Sequence, residues 1–374
     1  MVRQSPAPPP AEPARRGGGR GPSMADVAEA AGVSGQTVSR VANGKTNVDD
    51  ATRERVLEAM RRVGYRPNSA ARALRNGRFR SIGVIISDLL AVGNNRTLDA
   101  VASAVSAEGF SIVLMPVAQP SQHEVSGAFS RLDEQAVDGI IILIERHELD
   151  ESDLELPHGL PVVVIGSSGR RDYPLVDADQ EAGAAAATRH LLGLGHRTVH
   201  HLTGPPESYA AERRRKAWRT TLEAAGSPVP PVLAGDWSSR SGYEHGLALA
   251  ADPAVTAVFA ANDQMALGLL RALHEKGRSV PGDVSVVGYD DTSESAYFWP
   301  PLTTVRQSFE EIGRRAVAGL LAEITGADPL ATTSLAVPSE LVVRASTAPP
   351  AADRPAGTPK GTAGGTAKKP RTSR

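Results

Sequence analysis

The feature that most constrains this chain is a repeated texture, in which short, nearly unbroken runs of Val, Ile and Leu alternate with segments of helical pattern. The runs are "IGVIIS" from Ile82, "FSIVLMPV" from Phe110, "VDGIIIL" from Val137, "LPVVVIG" from Leu160, "TVHHLTG" from Thr198, "PVLAGDW" from Pro231, "VTAVFAAND" from Val255 and "DVSVVGYDD" from Asp283. Between them the pattern predicts helices over Leu98 to Glu108, Glu124 to Gln135, around Arg213 to Ala225, from Ser241, and over Gln264 to Lys276. A strand that is apolar on both sides belongs in a parallel sheet covered by helices on both faces, so residues 81–347 are predicted to form a doubly wound α/β domain. About ten such strands exceed one sheet and imply two subdomains. Ligands of such folds bind beyond the carboxyl ends of the strands. That rule singles out Ser87, Gly166-Ser167, Trp237, Asn262-Asp263 and Asp290-Asp291 as the rim of a cleft.

Residues 23–66 have a different texture and read as three short helices. Ser23 and Asp26 have the spacing of a capping box, and Val27, Ala28, Ala31 and Val33 form an apolar stripe that Gly32 interrupts. Ser34 is placed to cap a second helix through Arg40, ended by Asn43-Gly44, and Asp50 to cap a third bearing Val56, Leu57, Met60 and Val63. Two helices across a tight Gly-containing turn make a helix-turn-helix outline. Residues 67–80, with "NSAARALRNGRFRS", form a short basic link. Residues 1–22 and 348–374 are rich in Pro, Gly, Ala and basic side chains, bury nothing, and are expected to be disordered.

Charge follows the same division. Residues 1–80 carry fifteen Lys and Arg against seven Asp and Glu, an excess of eight positive charges in a chain whose net charge is −1. A basic end on an acidic body suggests a polyanion-binding module joined to a part with another task. The absence of cysteine excludes disulfide scaffolds, thiol catalysis and thiolate metal sites. No apolar run reaches the roughly 18 residues of a membrane span, and the first 23 residues lack the apolar core of a secretory signal. The expected location is therefore cytoplasmic, with the nucleoid.

The two parts, in this order, resemble the LacI/GalR family of bacterial transcription repressors. The matching stretches are "DVAEAAGVSGQTVSRVANG", "YRPNSAARAL", "LGHRTV", "GDWSSRSGY", "ANDQMALGLLRAL", "DVSVVGYDDT" and "PPLTTVRQSF", collinear from about Ser23 to Thr347. The resemblance implies a helix-turn-helix DNA-binding domain followed by a periplasmic-binding-protein-like effector domain of two subdomains. It also implies double-stranded operator DNA, a small sugar effector and a second copy of the chain as partners, and control of carbohydrate-utilisation genes. In a helix-turn-helix the second helix enters the major groove. Gly35, Gln36 and Arg40 would face base edges, Gln36 suiting adenine and Arg40 guanine. Ser34, Thr37, Asn43 and Asn47 would meet phosphates. Asn68 to Arg75 would be a hinge helix folding on DNA, with Leu74 as an apolar wedge in the minor groove. A family member has tyrosine at the position of Gly35, so one base contact differs.

For the effector, the resemblance carries Ser87, Arg214, Trp237, Asn262, Asp290, Gln307 and Phe309 into the cleft. Carboxylate, amide and guanidinium suit sugar hydroxyls, and an aromatic face suits the C–H surface of the ring. Each has a plainer alternative: Asp290 and Asn262 as helix caps, Trp237 and Phe309 as core, Arg214 as a surface arginine. Gly166 and Ser167 replace an acidic residue of a family member, which removes an acceptor and opens space for a different or larger glycoside. His200 and His201, with His196, raise the thought of a metal, but neighbouring strand residues point to opposite faces and no carboxylate is spaced to join them. No metal and no cofactor are expected. The family's tetramers use a C-terminal leucine helix, and no leucine follows Leu341, so a dimer is expected.

Other classes remain on this reading. Some relatives bind DNA only with a purine-type corepressor, which leaves the sign of the response open. A solute-binding protein shares the body's fold but needs an export signal and has no DNA-binding end. An enzyme is disfavoured. "NGKT" ends like a phosphate-binding loop but has Ser39 at the place of its first glycine, and "GSSG" lacks the spacing of a nucleophile elbow.

Overall fold

The computed structural model of the chain describes residues 21–66, 77–89, 91–118, 122–144, 159–166, 173–327 and 334–351. Two compact units separate between Phe79 and Arg80. The expectations for residues 1–20, the hinge over Asn68 to Arg75 with Leu74, Ser167, and the tail beyond residue 351 lie outside the described residues.

Among the described residues, the first unit holds three helices: α1 (Met24–Ala31), α2 (Gly35–Ala42) and α3 (Asp50–Val63). Ser23 and Asp26 form the reciprocal capping box, and Gly32 ends α1 in the left-handed region at φ 65°. Ser34 caps α2 through the Thr37 N–H, at 3.2 Å. The cap of α3 is Asp49, which accepts the Thr52 N–H at 2.9 Å, and Asp50 is the first helical residue. The sequence expectation was one residue late because both positions hold an aspartate. Val27, Val38, Val41, Val56, Ala59 and Met60 make the core. It is small, as expected for a unit near the lower size limit for folding without a disulfide or metal.

The second unit has two six-stranded sheets. The first orders β11-β5-β4-β3-β1-β2, from β1 (Ser81–Ser87), β2 (Ser111–Val117), β3 (Gly139–Leu143), β4 (Val162–Ile165), β5 (Leu175–Ala178) and β11 (Ser334–Val337). Its pairings are parallel. The second orders β12-β10-β9-β8-β6-β7, from β6 (His200–Thr203), β7 (Leu233–Ala234), β8 (Ala257–Ala260), β9 (Ser285–Asp290), β10 (Thr303–Arg306) and β12 (Glu340–Val342). Here β12 runs antiparallel to β10. Helices α4 (Val92–Ala107) and α10 (Phe309–Thr325) cover one face of the first sheet, and α5 (Gln122–Glu134) the other. On the second sheet α8 (Ser239–Ala251) and α9 (Asp263–Glu275) cover one face, α6 (Gln180–Gly193) and α7 (Tyr209–Ala224) the other. The chain crosses between sheets after β5, after β10 and after β11.

Several elements differ from the sequence expectation. Helix α4 starts six residues before Leu98, because Asn94 and Thr97 spend their side chains on nearby backbone carbonyls instead of marking a loop. Helices α6 and α10 and strands β5, β10, β11 and β12 lie outside the sequence expectation, and "PVLAGDW" pairs over only two residues. Ala348, assigned by composition to the tail, is anchored: its N–H donates to Ser285 Oγ at 3.0 Å and its carbonyl accepts from Ser285 and His196.

His201 lies in the core of the second sheet, 1 % exposed, between the rings of Phe259 (centroids 4.7 Å) and Trp218 (5.2 Å). Its Nδ1–H donates to the Phe259 carbonyl at 2.9 Å. Burial holds its pKa down, to about 4. The imidazole is thus neutral in the fold and takes a proton below pH 6.5 once unfolded. Its contribution is present above pH 6.5 and is lost as pH falls towards 4, by about 3 kcal/mol. Urea titrations at pH 7 and pH 4.5 are expected to show this loss, with a flatter pH slope in His201→Phe whatever its stability at pH 7. Helices α8 and α9 pack through Gly242, Gly246 and Gly268, where a Cβ on Gly268 would run into the Ser239 carbonyl oxygen. Gly268→Ala is expected to cost about 1 to 3 kcal/mol by overpacking, read as a fall in melting temperature.

Candidate functional site

In the first unit, α2 turns Val38 and Val41 inward and leaves Gln36 and Arg40, one turn apart, exposed on the same side. Gly35, its first residue, has open space where a Cβ would stand, so its missing side chain leaves a gap on that exposed side and serves no packing need. Ser34 and Thr37 share a hydroxyl contact at 3.0 Å at the helix start. Asn47 is exposed. Asn43 ends α2, as the sequence suggests: its amide donates to the Ser39 carbonyl at 2.6 Å and to Ser39 Oγ at 3.2 Å, which closes the end of the helix. Both of its N–H groups are therefore engaged within the unit.

The second unit has a cleft at the carboxyl ends of its two sheets, centred on the buried guanidinium of Arg214 from α7. Its Nε–H donates to Gln180 Oε1 at 2.8 Å, Nη1 donates to the Ala261 carbonyl, and Nη2 lies 3.7 Å from Asp290 Oδ1. The plane rests on the Tyr289 ring, 3.7 Å from its centroid, and Trp237 stands 5.5 Å away on another side. Gln307 Nε2 donates to Asp290 Oδ1 at 2.6 Å and its Oε1 accepts from Gln180 at 3.1 Å. Burial raises the pKa of Asp290, and the charge of Arg214 and the Gln307 hydrogen bond pull against it. Burial raises Asp177 in the same way, opposed by Arg213 at 2.6 Å.

Asn262 does two things at once. Its Oδ1 accepts the Met265 N–H at 2.8 Å as the cap of α9, and its Nδ2 donates to the Trp237 carbonyl at 2.9 Å. Trp237 itself is held at φ 69°, a region costly for a bulky residue. Its ring lies over Gly204, where a Cβ would be 2.3 Å from it. Asp290 and Asp291 also have positive φ, 107° and 50°. Next to them Asp263 is fully buried and accepts from Thr292 N–H at 2.9 Å and from the Ser295 and Thr304 hydroxyls at 2.6 Å each. Burial and the neighbouring charge of Asp290 push its pKa up, to about 7.

The cleft thus gathers Arg214, Trp237, Asn262, Asp290, Gln307 and Phe309. Ser87 is buried behind it, where its carbonyl accepts from Asn94 at 2.8 Å, and Gly166 follows the lining residue Ile165 without itself lining the space. Asn94, Thr97 and Asp177 line it unforeseen, and Gln180 and Tyr289 hold Arg214 from behind. The walls leave about 50 Å³ between them. That is room for a few waters and well below the roughly 300 to 1,000 Å³ of a small-molecule pocket. A bound ring would require the two sheets to part or Trp237 to move.

Two sequence families match: "bacterial regulatory proteins, lacI family" over residues 23–68, and "periplasmic binding protein-like domain" over residues 188–347. The lactose operon repressor of Escherichia coli strain K12 is 36% identical over 306 residues, spanning 80% of this chain and 84% of that protein. This chain belongs to the LacI family of bacterial regulatory proteins. Another LacI-family relative, the transcriptional regulator CelR of Thermobifida fusca, is 35% identical over 347 residues, covering 87% of this chain and 98% of CelR. Among solved structures, the Lac repressor dimer bound to operator and an anti-inducer superposes with a TM-score of 0.77 at 33% identity, over 88% of this chain and all of that one. The CelR–cellobiose complex superposes with a TM-score of 0.63 at 34% identity, over 87% and 99%. These likenesses extend the LacI-family architecture, a helix-turn-helix unit plus a two-sheet binding domain, over nearly all the described residues.

Asn262→Ala should remove the α9 cap at a cost of about 1 kcal/mol, a fall of about 2 to 4 °C in melting temperature. Asn262→Asp keeps an accepting oxygen at the cap and should melt closer to the unaltered protein.

Proposed function

We propose that this protein is a transcriptional repressor that binds a palindromic operator as a homodimer through α2 and leaves it when a small sugar, a glycoside or disaccharide, occupies the cleft. Within the cytoplasm it would control genes of carbohydrate use. The observation that carries this reading is the cleft, where a buried carboxylate, a buried guanidinium and two amides stand beside the Trp237 ring. That set meets sugar hydroxyls and the apolar face of a ring together, and it contains no nucleophile–base pair. The named relatives support it: one is an operon repressor whose structure holds operator DNA, the other a regulator bound to cellobiose.

The DNA-reading role falls to Gln36 and Arg40, with Ser34, Thr37 and Asn47 as phosphate contacts and Gly35 reading nothing. Asn43 would have to release Ser39 to reach a phosphate. Two half-sites need two copies of the chain, and Tyr297 and Trp299, 87% and 94% exposed, suit burial in such a pair. Effector and operator would favour different angles between the two sheets. Each then weakens the other by the same coupling free energy, typically about 1 to 3 kcal/mol.

Two measurements test this. In a thermal-shift panel of mono- and disaccharides, with phosphosugars and purines as controls, a glycoside should stabilise the protein, and Asp290→Ala should abolish the shift. Stabilisation by purines alone would turn the reading to a corepressor. Selection from random duplex DNA should enrich a palindrome, and Gln36→Ala or Arg40→Ala should each cost about 1 to 3 kcal/mol on it while leaving random DNA unaffected. No enrichment, or equal losses on both DNAs, sinks the operator reading.

A further inference from the structure

The two halves of the second unit are tied together in two different ways. Near the crossover after β5, Arg213 pairs with Asp177 at 2.6 Å and Gln180 donates to Asp177 at 3.3 Å. These bonds lie where the chain itself already joins the halves, so they can persist while the halves rotate. The contact of Arg96 is different. It rises from α4, on the first sheet, and its Nη1 donates to the carbonyls of Asp290 (3.4 Å) and Asp291 (3.2 Å), at the end of β9 in the second sheet. Neither α4 nor β9 leads into a crossover.

The surroundings of Arg96 fix its position. The guanidinium lies 5.1 Å over the ring of Phe309, the first residue of α10, and the same groove is lined by Asn95, Asp99, Glu310 and Arg314. The two carbonyls it holds belong to residues at positive φ. The Asp291 carboxylate is clamped by Arg306 at 2.7 Å and Arg344 at 2.6 Å, so the far end of this turn is rigid. The Asp290 carboxylate faces the cleft on the other side of the same peptide. A hydroxyl drawn to Asp290 therefore pulls on the peptide group that Arg96 grips, and the grip breaks when the sheets separate.

We propose that Arg96 is the positioning residue that latches the two halves over the cleft and passes occupancy of Asp290 to their relative angle. The link to occupancy rests on the functional reading above; the latch itself does not.

The chain has no cysteine, so a pair of introduced thiols can be spin-labelled without background. Glu134→Cys on α5 and Lys276→Cys after α9 are exposed and lie on opposite halves. Electron–electron distance measurements on the ligand-free full-length protein, mixed with unlabelled chain so that each assembly carries one labelled copy, should give one narrow distance. Arg96→Ala should add a second, longer population. Arg96→Gln should do likewise, and Arg96→Lys, which keeps a charged donor, should lie between. Distributions unchanged in both Arg96→Ala and Arg96→Gln would overturn the latch, with no sugar or operator needed to read the result. With the sugar and operator identified, the ratio of operator affinities without and with sugar should shrink at least fivefold in Arg96→Ala. An undiminished ratio would overturn the coupling role, and a failure to find either ligand counts against the functional reading instead.

Discussion

A guanidinium taken out of water must be surrounded, and the binding domain is arranged around that demand. Arg214 is nearly inaccessible, yet every side of it is occupied: Gln180 from α6, the Ala261 carbonyl after β8, Asp290 and Tyr289 from β9, and Trp237 before α8. A buried charge stripped of one partner is costly, so these elements hold one another in register through it. Arg214 is also one of the residues that line the cleft, so the group that organises the second subdomain forms part of the cleft wall.

The same economy shapes the nearby backbone. Asp290, Asp291 and Trp237 all sit at positive φ, and each is held by side-chain hydrogen bonds from another element: Gln307 for Asp290, Arg306 and Arg344 for Asp291, Asn262 for Trp237. Strained residues persist where their neighbours over-determine them. Asp263, buried with three donors, closes the turn over Thr292 to Ser295 and keeps this group in one geometry.

How far the sequence could be read depended on how strongly each segment advertised its burial. The central strands were legible because both faces are apolar. Helix α6 was not: "QEAGAAAATRHLLG" lacks a stripe of large residues and packs through smallness, with Gly183 so close to Tyr289 and Val305 that no Cβ fits. The edge strands β11 and β12 are short and carry polar residues, so only pairing reveals them. Within the cleft, Asp290 could be found because it ends a strand, Asn262 and Trp237 because they follow strands by two and three residues, and Arg214 through its place in the family pattern. Gln180 and Arg96 could not. Their roles come from partners 34 and 194 residues away, and no local pattern marks them.

The three crossovers also give the chain an order of completion during synthesis. The helical unit is whole by residue 66, and its contacts are local. The first sheet begins at residue 81 but waits for α10 and for β11, which ends at residue 337. Most of the second subdomain, all but β12, is therefore inserted within the first, and nearly the whole chain must leave the ribosome before the earlier sheet can close. Until then the apolar face that α10 will cover, including Val84, Ile86 and Ile141, stays open. The half that starts first finishes almost last, and the nascent chain carries a finished helical unit well before the domain behind it exists.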